Sequence, residues 1–119
     1  QIHLQFLDAL KLIKKIQKKA DDNTIYYFDP PYFLKGPALY MNYYNQDDHE
    51  KVSKEIKAIK NSRWIVSYDN VPKIKKLYKE VRKQEYKIPY IAHTSRMGKE
   101  ILFFSNNLFV PSVINPAQI

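Results

Sequence analysis

Apolar positions along this chain fall into short runs separated by polar turns, and their spacing changes from run to run. Two patterns overlap near the start. Leu4, Leu7, Leu10, Ile13 and Ile16 recur at helical spacing, whereas Ile2, Leu4 and Phe6 alternate as in a strand. Asp8 is placed to cap a helix beginning at Ala9. The preferred reading is a strand over 2–7 and a helix over about 9–19, with Lys11, Lys14, Lys15, Lys18 and Lys19 on its solvated face. Asp21, Asp22 and Asn23 make a turn. Residues 24–28 carry few polar side chains, as expected of a central strand buried on both faces. A long aromatic-rich loop, 29–48, leads to a helix over about 48–60, capped by Asp47 or Asp48, that buries Val52, Ile56 and Ile59. Residues 64–68 form the next strand, and Asp69-Asn70 ends it. Pro72 suits the first position of a helix over about 72–84 that buries Ile74, Leu77, Tyr78 and Val81. Residues 86–91 and 100–104 read as an antiparallel hairpin joined by the loop 93–99.

This alternation predicts one α/β domain over 1–119, with a mostly parallel, helix-covered sheet and an antiparallel terminal hairpin. In such sheets ligands sit beyond the carboxyl ends of the strands. Asp29 and Asp69 both stand at such ends.

Composition narrows the picture. The 119 residues suffice for one modest core. No run approaches the roughly 18 apolar residues of a membrane span, and no secretory pattern opens the sequence. Cysteine is absent, which excludes disulfides and thiolate metal sites. His3, His49 and His93 lack metal-ligand spacing, so no metal is expected. The net charge of +8 fits a polyanionic partner, and fits equally a lysine-rich proteome from an AT-rich genome. Gly36 and Gly98 are the only glycines, so no Gly-x-Gly loop cradles a nucleotide.

The most specific feature is the run Asp29-Pro30-Pro31-Tyr32 after the apolar segment 24–28. A carboxylate at a strand tip is followed by two residues of fixed φ that donate no backbone hydrogen bond, then by a ring. A pocket that grips a flat, extruded base needs an acceptor for its amino group and a ring for its face. Average residue usage puts this four-residue string in on the order of one chain of this length in a thousand or fewer. A turn-forming aspartate before proline is the plainer alternative.

These residues resemble the adenine-specific DNA methyltransferases, the class that includes the bacterial DNA adenine methylases. The matching stretches are 25–32 (IYYFDPPY), Tyr44-Asn45-Gln46-Asp47-Asp48-His49-Glu50, Ile65-Val66-Ser67-Tyr68-Asp69-Asn70, and 98–106 (GKEILFFSN), in the family's order. The resemblance implies a Rossmann-like sheet, S-adenosylmethionine as methyl donor, and the N6 amine of an adenine flipped from double-stranded DNA as acceptor. It implies a cytoplasmic, nucleoid-associated place in a bacterium, with a role in DNA methylation such as restriction–modification.

The resemblance also implies site roles. Asp29 and the Pro30 carbonyl accept the two amino hydrogens, Pro31 stiffens the turn, and Tyr32 stacks on the base. Phe33 and Tyr90, or His93, flank the base. Lys35, Arg96 and Lys99 contact phosphates, with solvated surface charge as the alternative. Asp29, Phe28 and Asp8 adjoin the cofactor, although core filling explains Phe28, and a helix cap Asp8, more simply. The family's glycine-rich cofactor loop, its ribose-binding acid and its target-reading hairpin would precede Gln1. The match therefore covers only the family's carboxyl half. Without the family's first strand, 24–28 becomes a sheet edge that invites association. A missing amino-terminal half, a second chain or a second copy is expected to complete the structure; the alternative is a nucleic-acid-binding fragment inactive alone.

Overall fold

The computed structural model describes residues 6–19, 23–33, 44–89 and 97–111. Its elements run α1 (Phe6–Gln17), β1 (Ile25–Phe28), α2 (Gln46–Lys57), β2 (Arg63–Asp69), α3 (Pro72–Leu77), β3 (Arg82–Pro89) and β4 (Met97–Phe104). The strands form one sheet in the order β1-β2-β4-β3. β1 pairs parallel to β2, with Tyr27 beside Ile65. β4 runs antiparallel to both β2 and β3.

This corrects the expected mostly parallel, Rossmann-like sheet: one of its pairings is parallel and two are antiparallel. The hairpin was foreseen, but not that its second strand inserts beside β2. The reason lies in the strands themselves. β4 carries Ile101, Phe103 and Phe104, all buried, so burial favours a place between two neighbours. β3 reads RKQEYKIP, and a strand so rich in charge suits a sheet edge.

The core lies on one face of the sheet. Trp64, Val66, Tyr68, Ile101 and Phe103 meet Ile13 and Ile16 of α1, Val52 and Ile56 of α2, Ile74 of α3, and Tyr78 just beyond it. The opposite face presents Ile25 and Tyr27, which are 49% and 59% exposed. β1 is therefore not buried on both faces as expected; only Tyr26 and Phe28 pack toward the core. Among the described strands it does stand at the sheet edge.

Several boundaries also move. Phe6 and Leu7 belong to α1, so the strand over 2–7 fails at those positions and Asp8 lies inside the helix rather than capping it. Asn45, not Asp47 or Asp48, caps α2. Its side chain accepts from the Asp48 N–H at 2.9 Å while the Asp48 carboxylate accepts from the Asn45 N–H at 3.0 Å, a reciprocal capping box. The helix expected over 72–84 stops at Leu77, and β3 already begins at Arg82.

Candidate functional site at the tips of β1 and β2

Asp29 follows β1 directly and is exposed, while Pro30 is buried and Pro31, Tyr32 and Phe33 are half-buried. The diproline thus plugs the turn into the protein and leaves the carboxylate outside. The turn is fastened to the next strand. The Phe33 N–H donates to Asp69 Oδ1 at 2.8 Å, and Asp69 itself is buried at the end of β2. The Asn70 N–H then donates to the Lys99 carbonyl at 2.9 Å, tying the same corner to β4.

An aromatic box supports the turn from the core side. His49 of α2 is buried, with Phe33 and Tyr44 rings 5.0 and 5.3 Å from its own. His49 Nδ1 lies 2.7 Å from the Tyr68 hydroxyl. Burial lowers the imidazole pKa to about 4 against the opposing pull of Asp69 and Asp48, so the ring is neutral near pH 7. Burial likewise raises the Tyr68 phenol well above its ordinary value, with smaller contributions from Tyr78, Tyr44 and Asp69. The two groups therefore share a hydrogen bond between neutral partners. The box continues through Tyr78, stacked on Phe103 at 4.5 Å.

The other face of the sheet carries the polar chemistry. Register puts Asp69, Glu100 and Tyr86 in one row across β2, β4 and β3. Ser67, one row back, hydrogen-bonds the Tyr86 phenol. Burial raises the Tyr86 pKa, and the charges of Glu100, Tyr27 and Asp29 add to it against that hydrogen bond. Asp29 thus lies within electrostatic reach of this row, whose Asp69 and Glu100 are buried.

Asp29, Pro30, Pro31, Tyr32 and Phe33 are brought together at one strand tip, and Lys99 reaches the same corner through its backbone. Phe28 packs against the core cluster. Tyr44, from the segment before α2, is buried in it. Lys35, Tyr90, His93 and Arg96 lie outside the described residues, as does the side chain of Asp8. His49, Ser67, Tyr86 and Glu100 were not anticipated. Their signal was faint but present: Ser67 and Asp69 interrupt the apolar run of β2 on one face, and Glu100 heads the apolar run of β4.

No group of acidic and histidine side chains suited to a metal occurs among the described residues, and no described helix is long and apolar enough to cross a membrane. No protein-family model and no curated protein matches the chain.

The cofactor implied by the motif has a cationic sulfonium at its reactive end. The exposed Asp29 carboxylate and the exposed Tyr27 ring, two residues apart at the tip of β1, suit a cation approaching from solvent. With only Gly36 and Gly98 in the sequence, that fit is confined to the reactive end.

Proposed function

We propose that this chain carries the base-gripping, methyl-transfer end of an S-adenosylmethionine-dependent methyltransferase that acts on the N6 amine of adenine in DNA. The supporting observation is the Asp29-Pro30-Pro31-Tyr32 turn at a strand tip, fastened by the Phe33–Asp69 hydrogen bond and backed by the His49 box.

The adenine amine is a poor nucleophile because its lone pair is delocalised into the ring. Asp29 accepts one amino hydrogen and the Pro30 carbonyl the other, which favours a pyramidal nitrogen with its lone pair free to attack. Tyr32 stacks on the base and fixes its plane, a contact worth about 1–3 kcal/mol. The cofactor, when bound, supplies an electrophilic methyl on a sulfonium. With the cofactor bound, nitrogen would gain that carbon in line as the carbon–sulfur bond breaks and sulfur leaves with the electron pair as a neutral thioether, and the surplus proton would then pass to solvent beside the exposed Asp29. The chain's contribution is orientation and stabilisation of developing positive charge on nitrogen.

The proposed partners are double-stranded DNA and a further chain, or a second copy, along the β1 edge. The proposed setting is the bacterial cytoplasm. The net charge of +8 favours a second reading as well, in which the chain alone binds DNA without turning over. Calorimetry with S-adenosylmethionine separates the two: heat of binding by the chain, alone or with its partner, supports the enzyme. Labelled methyl transfer to adenine-containing DNA, lost in Asp29→Ala, then tests the mechanism. Undiminished transfer by that variant defeats it.

A further inference from the structure

A cleft of about 480 Å³ opens at the same corner of the sheet, lined by Asn70, Lys75, Glu85, Lys87 and Lys99 among others. That volume lies within the range of small-ligand sites. Its lining has an unusual charge arrangement. Lys87 of β3 and Lys99 of β4 stand directly opposite each other in register, and both are exposed. Like charges at opposed positions destabilise a strand pair. Neither lysine amine forms a hydrogen bond or ion pair with another described residue.

The one acid in this lining is already engaged. Lys75 Nζ sits 2.9 Å from Glu85 Oε1, and the Asn70 amide donates to the same oxygen at 2.7 Å. The Asn70 and Lys75 hydrogen bonds hold the Glu85 carboxyl below its usual range. Lys75 balances Glu85, so Lys87 and Lys99 leave the cleft a net doubly positive wall. Asn70 joins the cleft to the proposed base-gripping turn, since it follows Asp69, the acceptor for Phe33, and donates its N–H to the Lys99 carbonyl.

We propose that this cleft seats one phosphate of a nucleic-acid backbone, bridged by the Lys87 and Lys99 ammonium groups. The inference rests on the reading that the chain handles DNA. A single anion between two opposed cations offsets their repulsion, and lysine binds phosphate as a point charge without needing planar geometry. The phosphate then lies beyond the β2 tip from Asp29, toward the β3 edge of the sheet.

The test is the double variant Lys87→Gln/Lys99→Gln, compared with Lys11→Gln/Lys14→Gln on α1, which removes the same charge elsewhere. Binding of a fluorescent duplex to the full chain is followed between about 50 and 200 mM salt. The cleft variant is expected to lower the slope of log K against log salt by about 0.9, the release of one phosphate's counterion. Its thermal midpoint should stay level or rise, because a repulsion has gone. Either single variant should lose most of the effect of the double. Equal losses in the cleft and α1 variants would overturn the proposal. So would amide shifts at Lys87 and Lys99 on titrating inorganic phosphate into a chain that fails to bind the duplex, an outcome that assigns the cleft to a free anion. Absence of methyl transfer by the parent chain, with the slope difference between parent and cleft variant still present, would remove the methyltransferase reading and leave the cleft standing.

Discussion

At the scale of single residues, two groups separate function from stability. Asp29 is exposed at the tip of β1, so truncating it opens no cavity in the core. Asp29→Ala should therefore lower transfer by roughly 10²–10³-fold, the usual loss on removing one preorganised stabilising group, while the thermal midpoint stays near that of the parent. Parallel activity and melting measurements check the split. His49 is the converse. Its pKa of about 4 in the fold lies below the ordinary 6.5, so between those values the unfolded chain binds more protons than the native one. Stability from the neutral imidazole is complete above about pH 6.5 and is lost as pH falls toward 4. The loss should reach at most about 3 kcal/mol. Urea titrations across that window should show the decline in the parent and a flatter profile in His49→Gln; equal profiles would mean another group titrates. His49 Nε2 is buried with no hydrogen-bond partner among the described residues, which adds to the cost of charging this ring.

At the scale of elements, legibility followed how local the determinants are. α2 was readable because its stripe of Val52 and Ile56 and its acidic first turn lie within one helix. The capping residue was missed by two or three positions because Asn45, Asp47 and Asp48 all suit a cap, and only the reciprocal bond between Asn45 and Asp48 decides among them. Asn45→Ala should cost about 1 kcal/mol by denaturant unfolding. Asp48→Ala should cost a similar amount, and the double variant less than the sum, since both belong to one box. α3 was over-extended because Leu77, Tyr78 and Val81 keep helical spacing past its end. Tyr78 instead turns into the core at the helix terminus, where the Lys57 amine donates to the Leu77 carbonyl at 2.6 Å and lies 5.9 Å from the centre of the Tyr78 ring. The strand order was not legible from spacing at all, because pairing of β2 with β4 crosses more than thirty residues of chain. Its one local trace was the contrast between charged β3 and apolar β4. The candidate turn was legible almost whole, since the diproline is a contiguous word; its supports at His49, Ser67, Tyr86 and Glu100 come from three other strands and a helix.

At the scale of the whole molecule, the two faces of the sheet are assigned different tasks. One packs α1, α2 and α3 into the core, and the other holds Asp69, Glu100 and Tyr86 in a row beside the tip of β1. That division leaves β1, four residues long, as both the carrier of Asp29 and an edge of the sheet. A strand tip that must hold a carboxylate in register for chemistry is poorly served by an edge with a neighbour on one side, because edges fray and invite foreign strands. A strand paired along the outer side of β1 would hold it from both sides and help to shield Ile25 and Tyr27. Sedimentation velocity should therefore show mass rising with concentration, or a complex with a second chain. Ile25→Lys/Tyr27→Lys, which places charge on the exposed positions of that strand without touching Tyr26, Phe28 or Asp29, should hold the chain monomeric. If association positions Asp29, the same variant should lose methyl transfer while retaining duplex binding through the Lys87–Lys99 cleft on β3 and β4, the opposite side of the sheet. A parent chain that sediments as a monomer at every concentration, and transfers methyl unaided, would show that β1 needs no neighbour to present its carboxylate.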